Sequence, residues 1–127
     1  MKTEIKAEKA PTAIGPYSQA IVADGFMFLS GQLPIEPVSG TMPSGIAAQT
    51  GQVLQNVIAV LSARGLTLSD VVKSTVYLRD MQDFADMNSV YAAYFTAPYP
   101  ARATIGVAAL PKGALVEIDC IAVTGKK

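Results

Sequence analysis

The chain contains no histidine and a single cysteine, Cys120, so any chemistry falls to carboxylates, arginine, lysine, tyrosine, hydroxyls and backbone groups. That inventory lacks the usual general base near neutral pH and most transition-metal ligands, and it allows no intrachain disulfide. Gly40, Gly45 and Gly51 are not followed by a Lys-Ser/Thr pair and do not open a strand-to-helix turn with a ribose-binding acid, so no loop cradles a phosphate. No metal and no nucleotide cofactor is expected. The groups that stand out are Arg102, Glu117 and Asp119, on two C-terminal segments that alternate like strands.

The elements that must position them are readable in outline. Two apolar runs, Ser18 to Ala23 and Phe26 to Ser30, are joined by Asp24-Gly25, a dipeptide suited to the positive φ of a tight hairpin turn. Leu33 to Gly45, rich in proline, glycine and serine, reads as a long surface loop. Ile46, Val53, Leu54, Val57, Ile58 and Leu61 then recur at helical spacing, with Ser44 the expected N-cap and Gly65 the stop. From Val72 to Leu78 the period becomes two, setting Val72, Ser74, Val76 and Leu78 against Lys73, Thr75, Tyr77 and Arg79. Asp83 is the expected cap of a second helix with the stripe Phe84, Met87, Tyr91, Tyr94 and Phe95, ended by Pro98 and Pro100. Strands over Ala103 to Leu110 and Leu115 to Val123 complete the order β-β-α-β-α-β-β, an α+β layer with both helices on one face of a sheet.

Pro111-Lys112-Gly113-Ala114 separates the last two strands by a hairpin loop length. With Leu110 opposite Leu115, the residues Val116, Ile118, Cys120 and Ala122 share the helix-covered face with Ile105 and Val107. Arg102, Thr104, Gly106 and Ala108 then share the other face with Glu117, Asp119 and Ile121, and Cys120 is turned away from them. A face of small residues, acids and an arginine suits neither open solvent nor a monomer core, so it is expected to meet another subunit. In this register Arg102 lies opposite Val123, six residues along the ladder from Glu117, a separation of roughly 20 Å at ~3.3 Å per residue. A bulge that shifts the pairing, or contributions from neighbouring subunits, would bring the two together, and the pattern leaves both open.

Composition narrows the class. In 127 residues, half of them hydrophobic and 16% charged, one domain with a substantial core is expected. Ten Lys and Arg balance ten Asp and Glu, so the basic footprint of a nucleic-acid binder is missing. The first ten residues alternate in charge and carry no apolar stretch of signal-peptide length, and no window is long and apolar enough to span a membrane. A cytoplasmic protein without a membrane partner is expected.

Several blocks, in order along nearly the whole chain, resemble the Rid family of enamine/imine deaminases. They are Gly15-Pro16-Tyr17-Ser18-Gln19-Ala20, Ser30-Gly31-Gln32-Leu33, Asp83-Phe84-Ala85-Asp86-Met87-Asn88 with Tyr91, Pro100-Ala101-Arg102, and Gly113-Ala114-Leu115-Val116-Glu117-Ile118. Taken singly each has an ordinary reading: Arg102 an exposed strand-start arginine, Glu117 a solvated strand carboxylate, Asn88 a surface amide, Tyr17 packing beside Pro16. The ordered set is what makes the resemblance specific.

The resemblance implies a chorismate-mutase-like fold and a homotrimer whose sheets form a central barrel, with sites in the clefts between subunits. It implies that Arg102 binds a substrate carboxylate, that Glu117 handles the attacking water, and that Tyr17, Ser30, Gly31 and Asn88 shape the pocket. The implied reaction is cofactor-independent hydrolysis of 2-imino or enamine acids to 2-keto acids and ammonia. One position departs from the family's best-known branch, where Arg-x-Cys is usual: this chain has Arg102-Ala103-Thr104. Thr104 offers a hydrogen bond to water or ligand but no polarisable thiol. Two alternatives stand beside it, a non-catalytic trimeric sensor of small carboxylates that uses the same pocket and, less compatibly with the charge balance, a ribonuclease or translation inhibitor, an activity sometimes attributed to the family.

Overall fold

The structure, a computed structural model, describes residues 1–125. In chain order its main elements are β1 (Thr3–Ile5), β2 (Ala20–Ala23), β3 (Phe26–Gln32), α1 (Ile46–Ser62), β4 (Val71–Leu78), α2 (Phe84–Tyr94), β5 (Ala101–Gly106) and β6 (Val116–Val123). The six strands form one sheet in the order β1-β2-β3-β6-β4-β5. Only β4 and β5 pair in parallel, joined through α2, and every other neighbour is antiparallel. Among the described residues no helix is long and apolar enough to cross a membrane.

The Asp24-Gly25 hairpin forms as its sequence dictates: both residues take positive φ, 52° and 82°, and β2 meets β3 from Ala20 opposite Leu29 to Ala23 opposite Phe26. Both helices cover one face of the sheet. Val53, Leu54, Val57, Val60 and Leu61 of α1 are fully buried against the strands, as are Met87 of α2 and Val116, Ile118 and Ala122 of β6. The Gly65 stop holds as well. Its φ of 75° lets Leu66 donate back to the Leu61 carbonyl at 3.0 Å and close the helix.

The helix starts differ from the sequence expectation. The N-cap of α1 is Gly45, with a φ of 89° and no side-chain cap, rather than Ser44. Asp83 occupies the N-cap position of α2 without capping it; Asp80 accepts from the Gln82 N–H in the short 3₁₀ turn Met81–Asp83 that leads in. β1 was not legible, because only Ile5 of its three residues is buried and a brief edge strand carries little pattern.

The larger correction concerns the C-terminal pair. β5 and β6 do not form a hairpin. β6 enters the gap between β3 and β4, which satisfies both its edges, and β5 is displaced to the far side of β4. The 111–113 segment is a 3₁₀ turn with Lys112 at a φ of 59°, and β5 ends at Gly106 instead of Leu110. Parity within β6 is as expected, since Val116, Ile118, Cys120 and Ala122 are all buried. Pairing with β4 reverses the expected facing of β5, however: Arg102, Thr104 and Gly106 register with Ser74, Val76 and Leu78, which face the helices.

Among the described residues the opposite sheet face has no helix on it. Phe26, Phe28 and Ile105 stand exposed there beside Glu117, Asp119, Tyr77 and Ile121. The expected mixed face therefore exists, with Ala101, Ala103 and Ile105 in place of Arg102 and Thr104 as the contribution of β5.

The loop from Leu33 to Gly45 is tied down by two buried amides, Gln49, which donates to the Pro43 carbonyl at 3.0 Å, and Asn56. Asn56 of α1 donates to the carbonyls of Leu33 and Ile35, both at 2.9 Å, and its own oxygen accepts from Gln52 at 3.0 Å. Stranding these groups costs roughly 1–3 kcal/mol per unpaired buried partner. We expect Asn56→Ala to lower unfolding stability by about 2 kcal/mol in urea titration at fixed protein concentration, with α1 itself intact by circular dichroism.

Candidate functional site

The predicted site residues fall into two groups. On the helix side of the edge strand β5, the Arg102 guanidinium carbon sits 4.7 Å above the Tyr91 ring and 5.7 Å from the Phe84 ring. Cation–π contacts of this kind contribute ~0.5–2 kcal/mol and leave the in-plane N–H edge available. The aromatic bed is itself fixed: the hydroxyls of Ser74 and Tyr91 are 2.7 Å apart, and Tyr91 stacks on Phe95 at 4.4 Å. Burial pushes the Tyr91 phenol up, so it remains a neutral hydrogen-bonding group. Among the described residues no carboxylate forms an ion pair with half-buried Arg102.

Asn88 lies on the helical stripe between Phe84 and Tyr91, half-buried beside this arginine. Thr104 is two residues beyond Arg102 on the same strand face, and its hydroxyl is buried without any hydrogen-bond partner. Buried polar groups are almost always paired, and among the described residues no protein group pairs with this oxygen. Cys120 also lies on this face, because Ser74 registers with both Arg102 and Cys120. The expectation that it points away from Arg102 is therefore incorrect, a direct result of β5 pairing with β4. It is nevertheless buried, and burial pushes its thiol up to about 12, so no thiolate is offered to the site.

The second group lines a cleft of about 540 Å³ that contains Tyr17, Ser30, Gly31, Lys112 and Glu117. A bulge shapes it: β3 advances three residues, from Leu29 to Gln32, while β6 advances two, from Cys120 to Ile118. Gly31 sits in the bulge, where any side chain would displace the Glu117 carboxylate from its present position. A Cβ placed there would overlap a carboxylate oxygen of Glu117. The Ser30 hydroxyl donates to the Ser18 carbonyl at 2.5 Å and its N–H to the Gln19 carbonyl at 2.9 Å, which holds the Tyr17 loop against β3. The loop is anchored from the other side by buried Gln19, which accepts from the Ala7 N–H and donates to the carbonyls of Ala7 and Pro11.

Glu117 is half-buried, and its carboxyl is raised above the ordinary 4.5, first by burial and second by the charge of Asp119. The group is a partly desolvated carboxyl on the wall of the cleft. Lys112, in its left-handed turn on the cleft wall, was not singled out from sequence; nothing about Pro-Lys-Gly indicates which wall it will join.

The two groups do not meet within one chain. Arg102 points to the helix side of the sheet and Glu117 to the open side, with β4 between their strands. Two strand spacings of ~4.8 Å and three residues of ~3.3 Å put their backbones roughly 14 Å apart. The expectation of one shared face is corrected, and no bulge rescues it, because the shift in β3 moves neither residue across the sheet.

The family model described as Endoribonuclease L-PSP matches residues 7–124. The chain belongs to the Rid (endoribonuclease L-PSP) family. Among curated Rid relatives, a RutC family protein of Pyrococcus horikoshii is 54% identical over 96% of this chain and 98% of its own length. The 2-iminobutanoate/2-iminopropanoate deaminase of Bos taurus is 50% identical, covering 95% of this chain and 89% of the relative. The crystal structure of Escherichia coli TdcF with bound serine superposes with a TM-score of 0.92 at 41% identity, covering 95% of this chain and 98% of that one. The mixed sheet with two helices on one face is thus the Rid architecture.

In this Rid chain the orphaned hydroxyl gives a direct test. Thr104→Val keeps the shape and removes the unpaired oxygen, so the ligand-free protein is expected to gain about 1–2 kcal/mol in thermal unfolding at fixed concentration. A loss of stability in the variant would mean that the hydroxyl already has a partner.

Proposed function

We propose that this protein is a cofactor-independent deaminase that hydrolyses 2-imino and enamine acids, such as 2-iminopropanoate and 2-iminobutanoate, to 2-keto acids and ammonia. The observation that carries the reading is the division of the site. One sheet face offers an unpaired guanidinium, the other offers a proton-carrying carboxylate in a cleft, and each is incomplete alone. A site forms when the β5 edge of one chain lies along the Glu117 cleft of the next. A homotrimer closes such a head-to-tail contact and covers the apolar open face that carries Phe26, Phe28 and Ile105.

The chemistry needs little more. Two parallel hydrogen bonds from Arg102 to the substrate carboxylate fix the neighbouring C=N carbon in place. Glu117, ionised, takes a proton from a water as that water adds to the carbon, giving a carbinolamine. With the imine nitrogen protonated at the start, Glu117 then returns the proton to that nitrogen; as the C–N bond breaks the carbinolamine hydroxyl gives its own proton to Glu117, the carbonyl forms, and the departing ammonia carries that proton away. An enamine enters the same route after protonation at its β-carbon. Positioning of this kind lowers barriers by several kcal/mol, up to ~7–11 in the best cases, and proton transfer adds roughly 10²–10⁴ in rate. Asn88 and Thr104 complete the arginine side, while Tyr17, Ser30 and Gly31 wall the carboxylate side.

Deaminase relatives, and a neighbour that holds the small amino acid serine, support a ligand of this size and charge. The same pocket could serve a non-catalytic sensor, which keto-acid formation from freshly generated 2-iminopropanoate separates. A ribonuclease, the activity in the family model's name, is disfavoured by zero net charge and the absence of histidine. Neither nucleic acid nor membrane is proposed as a partner, and the cytoplasm is the proposed site of action.

Subunit mixing tests the divided site. Arg102→Ala and Glu117→Ala should each lose at least ~10²-fold in kcat/KM. Co-refolded in equal amounts they should regain about a quarter of wild-type activity, because one interface in four pairs an intact arginine with an intact glutamate. No recovery from fully exchanged trimers would put both groups in one chain and overturn the arrangement.

A further inference from the structure

Glu117 and Asp119 stand two residues apart on β6, so both side chains rise from the open face of the sheet. β4 runs beside them, with Tyr77 directly opposite Glu117 and Thr75 opposite Asp119. The Tyr77 hydroxyl passes over its direct neighbour. It donates to Asp119 at 3.0 Å. Asp119 is thereby held in place, whereas among the described residues no group donates a hydrogen bond to the Glu117 carboxyl.

Few other charged or titratable groups face this carboxyl. Lys112 and Tyr17 line the same cleft, Lys73 follows farther along β4 opposite Ile121, and in the assembled site Arg102 arrives from the neighbouring chain. Like charges this close disfavour joint ionisation. A carboxylate that the Tyr77 hydroxyl prevents from swinging away is therefore a fixed influence on Glu117, unlike a mobile surface charge. Tyr77 is a suitable clamp, because burial, the hydrogen bond to Asp119 and the two acidic charges push its phenol up, and it stays a donor throughout the working pH range.

We propose that Asp119, clamped by Tyr77, is a positioning residue that adds to the effect of burial in setting the pH at which Glu117 changes between proton donor and proton acceptor. Asp119 touches no substrate. Its effect runs through Glu117, so that the group which must take a proton from water can also keep one for the departing ammonia. The catalytic consequence rests on the deaminase reading; the electrostatic coupling does not.

The test is a carboxyl ¹³C NMR titration of the full-length assembled protein labelled at glutamate, with the Glu117 signal assigned by its loss in Glu117→Gln. Asp119→Asn keeps an oxygen to accept from Tyr77 and removes the charge, so the Glu117 midpoint should move to lower pH. Tyr77→Phe frees Asp119 to turn toward solvent and should move the midpoint in the same direction by less, providing a second route if Asp119→Asn fails to assemble. The acid limb of keto-acid formation from 2-iminopropanoate should shift with the NMR midpoint. An unmoved Glu117 midpoint in both variants overturns the inference, as does an NMR shift that the acid limb does not follow. If the midpoint moves but wild type hydrolyses no imine, the coupling stands and the deaminase reading fails instead.

Discussion

Everything in this molecule follows from the placement of β6 between β3 and β4. An alternating strand with antiparallel partners on both edges has two fixed faces. Here one face delivers Val116, Ile118, Cys120 and Ala122 to the core beneath the helices, and the other delivers Glu117 and Asp119 to the open side. A one-residue slip would exchange them, burying two acids and exposing the core. The fully buried residues on β6 and α1 hold that register, and with it the position of the carboxylate.

The same placement expels β5 to the edge and turns Arg102 toward the helices. There it rests on two aromatic rings instead of facing an acid, which leaves its hydrogen-bonding edge free. An arginine and a glutamate on opposite faces of a sheet cannot serve one small molecule inside a single chain. In a ring of identical chains the opposition becomes useful, because each chain can offer its arginine on one side and its carboxylate on the other. The uncovered apolar residues of the open face would be removed from water in the proposed ring.

Several features of the site would be disfavoured in a protein selected for stability alone. Thr104 buries a hydroxyl with no partner, Glu117 is partly desolvated next to a like charge, and Lys112 adopts a left-handed backbone. Strain and unsatisfied groups concentrate where a ligand or partner later completes them. Gly31 belongs with them for a steric reason, since its missing side chain is the space the Glu117 carboxylate occupies.

The sequence by itself determined the local and periodic features. The Asp24-Gly25 turn, the α1 stripe, the Gly65 stop and the two-faced character of β6 depend on φ preference or on spacing within one segment, and these survive in the structure. The blocks around Tyr17, Ser30, Asn88, Arg102 and Glu117 likewise carried the family resemblance. Tertiary structure alone decided which strand accepts β6. Adjacent strands separated by a short loop read as a hairpin, and the competition between that local closure and a better-buried position between β3 and β4 depends on packing from distant parts of the chain. The facing of Arg102, the company of Cys120 and the separation of the two half-sites all follow from that one non-local choice, which is why no spacing in the sequence could reveal them.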